Sequence, residues 1–337
     1  MAQDKSKIPA IVIFGATACG KTEFAVSVFG KETKTGLANT CEIINADSVQ
    51  VYKDAVIASA GPTLYEKEQV PHHLVSIYEG DREFSTSDFV READKLCLEI
   101  CKKNKVPVLL GGTAFFLKNF LMSLPSTPKA DPKIRKKLQA ELEKKGEEVM
   151  FAKLKHFDPV SASRINIHDH YRILRALEVY EATKKPLSSF SLSEEFRKTY
   201  DFLIFTLTRE RKIIYERINK RVDKMFTAGL VAEFAELYKK GYTATSPIMK
   251  AIGYKEFFSL SPILPLNADL DAVKNLIKRN TRRYAKRQET FFKTIPESTI
   301  VNLENPSELN SAIQKIKNFV ATHTQKNLAQ RLLKTKM

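Results

Sequence analysis

Eight consecutive residues near the start of the chain have the types and spacing of a phosphate-binding loop. They are Gly15, Ala16, Thr17, Ala18, Cys19, Gly20, Lys21 and Thr22, and they fit the pattern G-x-x-x-x-G-K-[ST] at every fixed position. In such a loop the backbone N–H groups form a nest for anions, the lysine contacts the outer phosphates and the final hydroxyl holds Mg²⁺. An ordinary glycine turn is the alternative. We expect a polyphosphate site, with Thr22 as the metal ligand.

The segments around this loop predict the elements that would hold it. An apolar, β-rich run covers residues 8–14 and a helix-like run covers residues 23–29, which is the strand, turn and helix that the motif needs. A second short strand at residues 42–45 leads to Asp47 and Ser48. Because ligands of open parallel sheets lie at the carboxyl ends of strands, Asp47 is predicted at the same edge as the loop, as a metal-binding or acid–base carboxylate.

A second glycine turn follows another predicted strand. Residues 106–110 are wholly apolar, as in a central parallel strand, and Gly111, Gly112 and Thr113 come next. We expect this turn to complete the phosphate pocket, with the hydroxyl of Thr113 facing it. A phosphate loop alone would predict a kinase. Such enzymes commonly end this strand in Asp, however, and here only the 42–47 segment could supply one.

The composition changes after residue 124, where prolines precede a run of charged, helix-like segments. Strand signals return at residues 202–207, and Thr208 is predicted to cap the helix that follows. We therefore expect an α/β protein, a P-loop NTPase-like parallel sheet core flanked by helices, with a helical insertion domain. The predicted boundaries are 1–124 and 200–322 for the catalytic core, 125–199 for the insertion and 323–337 for a basic tail.

The chain is strongly basic: its 337 residues include 55 Lys+Arg against 39 Asp+Glu, a formal net charge of +16. This excess suits a protein that binds a phosphate backbone, although a generally basic proteome would also produce it. Residues 278–293 contain seven positive residues, one negative residue and interleaved aromatic side chains, which is typical of a nucleic-acid contact. Arg172 and Arg175 form a second positive edge on a predicted helix, and a merely solvated helix face explains them equally well.

Other classes of site are not supported. The four cysteines form no C-x-x-C pair, which excludes a zinc ribbon and a thioredoxin motif. His72 and His73 suggest a metal, but no third ligand lies nearby, so a packed and hydrogen-bonded histidine is favoured.

No signal-peptide pattern opens the chain, and no apolar run approaches the roughly 18–20 residues of a membrane span. We expect a cytoplasmic protein that does not contact membranes.

Taken in order, these blocks resemble those of the tRNA dimethylallyltransferases, also called tRNA isopentenyltransferases. The loop is similar to the family's G-P-T-A-S-G-K-T, residues 45–53 to its D-S-x-x-x-Y block, residues 71–74 to P-H-H-L and residues 111–113 to the start of G-G-T-G-x-Y. Residues 131–135 resemble D-P-x-x-R, residues 172–178 resemble R-x-x-R-A-L-E, and the blocks at 252–255 and 285–288 match as well. The resemblance extends over residues 8–293, and the later blocks make it specific.

The resemblance implies a prenyl transfer. The family moves a dimethylallyl group from dimethylallyl diphosphate to N6 of adenosine 37, next to the tRNA anticodon, and releases diphosphate. The loop would then hold a diphosphate leaving group with Mg²⁺, and Asp47 would act on N6 as a general base or an orienting acceptor. Thr113 and Arg221, with Arg217 as a competitor, would close on the diphosphate. Arg135 matches the position that helps to hold the substrate base.

The resemblance also implies the surfaces that contact the anticodon stem-loop of tRNA. These positions are Asp47, Ser48, Val49, Gln50, Tyr171, Arg172, Ile173, Leu174, Arg175, Lys250, Gly253, Tyr254, Lys255, Lys286, Arg287, Gln288 and Lys293. The helical insertion would hold the stem-loop against the core, and we expect a monomer to be sufficient.

The sequence departs from the family pattern at four positions, and rival functions stay open. Ala16 and Cys19 replace Pro and Ser at variable loop positions, Ala114 replaces the third glycine of the second turn, and Phe116 replaces Tyr. An adenylate isopentenyltransferase acting on free nucleotides would share the loop and Asp47, but would not need the insertion or the basic blocks. A P-loop kinase and a non-catalytic RNA-binding P-loop protein are the further alternatives.

Overall fold

The computed structural model describes residues 7–124, 127–128, 131–190 and 195–334, and these fall into two units. One consists of Met1–Leu121 with Arg197–Met337, and the other of Met122–Phe196. The strands are β1 Ile8–Gly15, β2 Cys41–Ala46, β3 His72–His73, β4 Val106–Gly111, β5 Tyr200–Thr208 and β6 Thr299–Asn302. The helices are α1 Lys21–Phe29, α2 Leu64–Gln69, α3 Thr86–Lys102, α4 Ala114–Met122, α5 Pro132–Lys145, α6 Glu147–Phe157, α7 Pro159–Ala162, α8 His170–Thr183, α9 Arg211–Thr227, α10 Leu230–Lys239, α11 Lys255–Leu260, α12 Leu270–Phe292 and α13 Pro306–Lys334.

The larger unit is built on a six-stranded sheet in the order β3-β2-β4-β1-β5-β6, and all its pairs are parallel. Strands β2 and β4 are buried along their whole length, which explains the continuous apolar sequence of β4; β2 also buries the polar Glu42 and Asn45. The register pairs Phe14 with Gly111 and Ala46 with the same glycine. The carboxyl ends of β1, β2 and β4 therefore meet at one edge of the sheet, and the predicted parallel α/β core is confirmed.

Two helices of the larger unit start in different ways. Helix α3 begins after Ser85, whose side chain accepts from the backbone N–H of Asp88 while the Asp88 carboxylate accepts from the N–H of Ser85, a capping box. The prediction that Thr208 caps the next long helix is wrong. Thr208 is the last residue of β5, paired with Asn302 of β6, and α9 starts only at Arg211. Pairing with the edge strand keeps the backbone of Thr208 extended.

The described residues of the unit Met122–Phe196 form helices and connecting turns, without a strand among them, and have their own core. Helices α5, α6 and α8 contribute buried apolar residues such as Leu138, Leu154 and Leu177. Short polar caps fix the helix starts, as where the Asp158 carboxylate accepts from the Ser161 N–H at 2.9 Å. In the described part of the whole chain, no helix is long and apolar enough to cross a membrane.

Candidate active site

The phosphate loop joins the carboxyl end of β1 to the first turn of α1. Ala18 and Gly20 have left-handed backbones, with φ of 64° and 106°, and the chain turns back over the strand end there. A Cβ on Gly15 would lie 2.5 Å from Cys19 Sγ, so only glycine allows this turn to close. Lys21 Nζ donates to the carbonyls of Gly15 at 2.8 Å and Ala16 at 2.9 Å, and burial lowers the pKa of Lys21.

The ends of β2 and β4 place Asp47 beside Thr113. Asp47 Oδ1 accepts from the backbone N–H of Val49 at 2.9 Å and of Gln50 at 3.3 Å, which fixes the carboxylate at the strand end. Thr113 Oγ1 accepts from the Ser48 N–H at 3.0 Å. These bonds join the two strand ends, so that both predicted polar side chains lie on one edge with the loop.

Helix α9 brings arginine side chains to the loop from the other side. Arg217 Nε donates to the Ala18 carbonyl at 2.8 Å, and Arg221 NH1 donates to Thr17 Oγ1 at 3.3 Å. The sequence left these two arginines as competitors, and both contact the loop because they are one helical turn apart. Burial, followed by the positive charge of Arg217, lowers the pKa of Arg221. An anion in the loop would relieve this clustering of charge.

Arg209 also binds the loop, although the sequence analysis assigned it no role. Its Nε donates to the Cys19 carbonyl at 2.7 Å, and its NH1 lies 3.8 Å from Glu304 Oε1. The available signal was its position directly after β5, whose carboxyl end lies beside that of β1.

Helix α12 closes the site with neutral side chains. Gln288 accepts from the Thr17 N–H at 2.8 Å through Oε1 and donates to the Gly112 carbonyl at 2.6 Å through Nε2. It is 3% exposed and bridges the two glycine turns, while its assignment to the tRNA surface stays a prediction. Tyr284, a residue that the sequence analysis missed, donates to the Gly112 carbonyl at 3.4 Å. Burial, and secondly the charge of Asp47, raise the pKa of Tyr284, so the phenol stays protonated.

Residues of the phosphate loop, Asp47, α9 and α12 line one cavity of about 710 Å³. Its charged and polar wall includes Lys21, Thr22, Asp47, Arg217, Lys220, Arg221, Lys224 and Gln288, and its apolar wall includes Val56, Ile57, Ala60, Met225 and Ala228. The described residues include no cluster of three or more His, Cys, Asp or Glu that could hold a metal. A hydroxyl and one carboxylate beside a phosphate cradle suit Mg²⁺ instead, since this ion keeps its waters and takes its other ligands from substrate phosphates.

The helical unit carries its own part of the predicted site. The Arg135 guanidinium lies 4.9 Å from the centre of the Tyr171 ring and 3.7 Å from Glu178 Oε2. Arg175 NH1 lies 3.2 Å from the same oxygen, and Glu178 Oε1 accepts from the Asp131 N–H at 2.7 Å. The buried Glu178 thus forms ion pairs with both arginines, and Arg175 NH2 also donates to the Pro128 carbonyl at 2.7 Å. Tyr171 is 68% exposed, and Arg172 is exposed beside it.

The remaining residues predicted to contact tRNA divide by exposure. Lys250, Lys286, Arg287 and Lys293 are exposed, and Ser48, Val49, Gln50 and Lys255 are partly exposed. Ile173, Leu174, Gly253 and Tyr254 are buried. The side chains of Ile173, Leu174 and Tyr254 are enclosed in the core, and Gly253 has none. The assignment of these four positions to tRNA contact stays a prediction.

The two departures in the second glycine turn are accommodated. Ala114 begins helix α4, where an alanine needs no special backbone conformation. Phe116 is buried and stacks on Phe89 with ring centres 4.8 Å apart, so this aromatic environment does not require a tyrosine hydroxyl.

The adjacent histidines are hydrogen-bonded, as the sequence favoured. His72 Nδ1 lies 2.7 Å from the Val70 carbonyl, and His73 Nε2 lies 2.8 Å from Glu42 Oε2. Burial acts to raise the pKa of Glu42, but hydrogen bonds from His73, Lys105 and Lys103 outweigh it and hold the pKa at about 2. This cluster joins β2 and β3 near their amino-terminal ends, away from the carboxyl edge that carries Asp47.

Comparisons with known proteins agree with this geometry. The model of the IPP transferase family matches residues 50–295. The tRNA dimethylallyltransferase of Geobacter sulfurreducens is 39% identical over 312 residues, covering 92% of this chain and 96% of the relative, and that of Acetivibrio thermocellus is 39% identical over 316 residues, covering 93% and 97%.

Solved structures give the same result. The full-length tRNA isopentenylpyrophosphate transferase of Bacillus halodurans has a TM-score of 0.65 at 32% identity and covers 96% of this chain and 99% of its own. A eukaryotic dimethylallyltransferase, captured acting on tRNA, has a TM-score of 0.69 at 27% identity and covers 88% of this chain and 74% of its own. With the family model over most of the chain and relatives that match nearly end to end, this chain belongs to the tRNA dimethylallyltransferase family, whose members are IPP transferases.

Proposed function

We propose that the protein transfers the dimethylallyl group of dimethylallyl diphosphate to N6 of adenosine 37 in tRNA. The observation that carries this proposal is the cavity in which the phosphate loop, Asp47 and an apolar wall occur together. A kinase needs the loop, but it has no use for apolar groups facing the transferred group. Membership of the tRNA dimethylallyltransferase family supports the same conclusion.

The loop and α9 would stabilise the leaving group. As the C1–O bond of the donor breaks, its electron pair passes to the diphosphate, so negative charge grows on the phosphate oxygens. The N–H groups of the loop, Lys21 and the guanidinium of Arg221 are positioned for that charge before the reaction starts. Donors that are fixed in advance stabilise the transition state more than the ground state.

Asp47 would act on the other reactant. The N6 amine of adenosine supplies the electron pair of the new N6–C1 bond, and the proton that N6 loses passes to the Asp47 carboxylate. One oxygen of this carboxylate accepts from Val49 and Gln50, so the group is oriented before the base arrives. Tyr284 lines the same cavity, and the Thr113 hydroxyl is held by the Ser48 N–H at the neighbouring strand end. The products are the N6-prenylated tRNA and diphosphate.

Mg²⁺ is the metal we propose for the diphosphate, with the Thr22 hydroxyl as its protein ligand. When bound, the ion neutralises charge on the leaving group. Thr22 and Asp47 line the same cavity, and no wholly protein-based metal cage is needed for this ion.

The tRNA contacts in this proposal come from two basic surfaces. The insertion, residues 125–199, would grip the anticodon stem-loop through Tyr171, Arg172 and Arg175, and Arg135 would hold the substrate base. The catalytic core, residues 1–124 and 200–322, would contribute Lys286, Arg287 and Lys293. Adenosine must leave its stack to reach the cavity, as in other base-modifying enzymes. A monomer would be sufficient for this binding.

The test is a competition between acceptors. Labelled dimethylallyl diphosphate is incubated with the protein, Mg²⁺, unmodified tRNA and AMP in one vessel, and a tRNA with guanosine at position 37 serves as the control. We expect label in the unmodified tRNA alone. Label in AMP alone would replace the proposal with an adenylate isopentenyltransferase, and label in neither would contradict prenyl transfer.

A further inference from the structure

Residues 54–61 form a loop that lines the cavity, and one carboxylate accepts from three of its consecutive backbone N–H groups. Val56, Ile57 and Ala60 line the cavity wall. The backbone N–H groups of Val56, Ile57 and Ala58 all donate to the carboxylate of Glu233 on α10, at 3.0, 2.7 and 3.0 Å. Successive N–H groups that face one anion form a nest, so Glu233 fixes three adjacent peptide units of the wall at once.

Tyr254 contacts the Glu233 carboxylate, and Gly253 contacts the loop itself. The Tyr254 hydroxyl donates to Glu233 Oε1 at 2.6 Å, and the side chain is fully buried. Burial, followed by the charge of Glu233, raises the pKa of Tyr254, so the phenol keeps the proton that it donates. Gly253 has φ of 115°, and a Cβ there would lie 3.0 Å from that of Ala58. The 252–255 block therefore packs directly behind the loop.

The loop is also connected to Asp47. Gln50 Nε2 donates to the Ser59 carbonyl at 3.3 Å, and the Gln50 backbone N–H donates to Asp47 Oδ1 at 3.3 Å. A continuous path of hydrogen bonds thus runs from Glu233 through the loop to the carboxylate of the active site. A second contact with the loop, the ion pair between Asp54 Oδ1 and Nζ of Lys240, the residue after α10, has a length of 3.0 Å. It is more exposed and is expected to contribute less.

We propose that Glu233 and Tyr254 are positioning residues that fix residues 54–61 as the wall of the pocket for the prenyl diphosphate. The 252–255 block then acts on the prenyl donor through this loop, with Lys250 and Lys255 on its surface left to contact RNA. The inference deepens the proposed function and rests on it for the identity of the donor. The anchoring of the loop itself does not depend on the reaction.

The experiment compares Glu233→Gln with Glu236→Gln, an exposed glutamate on the same helix. The amide keeps the size of the side chain but turns an N–H₂ group towards backbone donors. Hydrogen exchange in the protein without substrate is expected to accelerate about tenfold or more at residues 56–58 in Glu233→Gln, because charge-assisted bonds are lost. Exchange in Glu236→Gln stays that of the wild type. Unchanged exchange in Glu233→Gln would overturn the proposal.

The KM values of the two substrates distinguish a positioning role from a general loss of stability. In Glu233→Gln the KM for dimethylallyl diphosphate is expected to rise about tenfold, with the KM for tRNA nearly unchanged, and Tyr254→Phe should show the same pattern with a smaller rise. A rise in the KM for tRNA alone would assign the block to RNA binding and overturn the inference. If the wild type transferred no prenyl group, the proposed function would fail, and hydrogen exchange would still decide the anchoring. If Glu233→Gln did not fold, Tyr254→Phe would decide both arms.

Discussion

Helices α9 and α12 both carry rows of positive side chains, but they use them in different ways. On α9, Arg217 and Arg221 donate to the phosphate loop at 2.8 and 3.3 Å. On α12, Lys286 and Arg287 are exposed, whereas the residue that reaches the loop is the neutral Gln288. A small anion is bound by donors at fixed positions, while a polyanion is attracted by charge that salt can screen. The comparison predicts which substrate each helix controls.

The largest effect is expected at the group that both helices enclose. Asp47→Asn keeps the shape of the side chain but removes the base, so kcat should fall by about 10²- to 10⁴-fold. Binding of tRNA should survive, because the basic surfaces are intact. Single-turnover prenyl transfer and a tRNA binding assay measure the two effects, with the exposed Asp81→Asn as the charge-matched control. Near-normal turnover of Asp47→Asn would remove Asp47 from the chemistry.

On α9, Arg221→Ala tests whether this arginine acts on the diphosphate as a hydrogen-bond donor at a fixed position. The KM for dimethylallyl diphosphate should rise and kcat should fall, together about 10²-fold in kcat/KM, since a charge-assisted contact with the leaving group is lost. Lys212→Ala removes one positive charge from an exposed position on the same helix and should have little effect. Equal losses in both variants would mean that α9 acts through its overall charge, and the contrast between the helices would then fail.

On α12, Gln288→Ala tests whether the neutral side chain that contacts the phosphate loop serves the prenyl donor. Without its amide, the Thr17 N–H and the Gly112 carbonyl lose a common partner, and kcat/KM for the prenyl donor should fall about tenfold. The KM for tRNA should not change. The control is Thr290→Ala on the exposed face of the helix. If Gln288→Ala instead weakened tRNA binding alone, the assignment of this residue to the RNA surface would be supported and its role at the loop contradicted.

The smallest effect at low salt is expected from the exposed face of α12. Lys286→Ala with Arg287→Ala should weaken tRNA binding and lower the slope of log K against log salt by about 1.5, since each phosphate contact contributes roughly 0.7 to 0.9. Turnover at saturating tRNA should be unchanged. Lys34→Ala with Lys95→Ala removes the same charge elsewhere on the same unit. Equal slopes in the two double variants would exclude this face from the interface.

The phosphate loop and the parallel sheet could be predicted from the sequence because their signals are local. Residues 15–22 are consecutive, and the apolar runs before and after them have the lengths of buried strands and helices. Asp47 and Thr113 were predicted together because carboxyl ends of parallel strands share an edge, and the bonds around Ser48 now explain their alignment. The failed cap at Thr208 shows the limit, since pairing with β6 overrode a local preference.

By itself, the sequence determined the groups from which the site is built: a glycine-rich loop, a lysine, a hydroxyl and a carboxylate, each encoded within a few residues of its own strand end. Only the tertiary structure decided which distant residues complete that site. Gln288 meets Thr17 across 271 positions of the chain, and Glu233 meets Ile57 across 176. The spacing of apolar residues along the chain does not predict such contacts, because they depend on how α10 and α12 pack against the sheet edge. Whether a polar side chain faces RNA or a backbone N–H is therefore decided only in the folded chain.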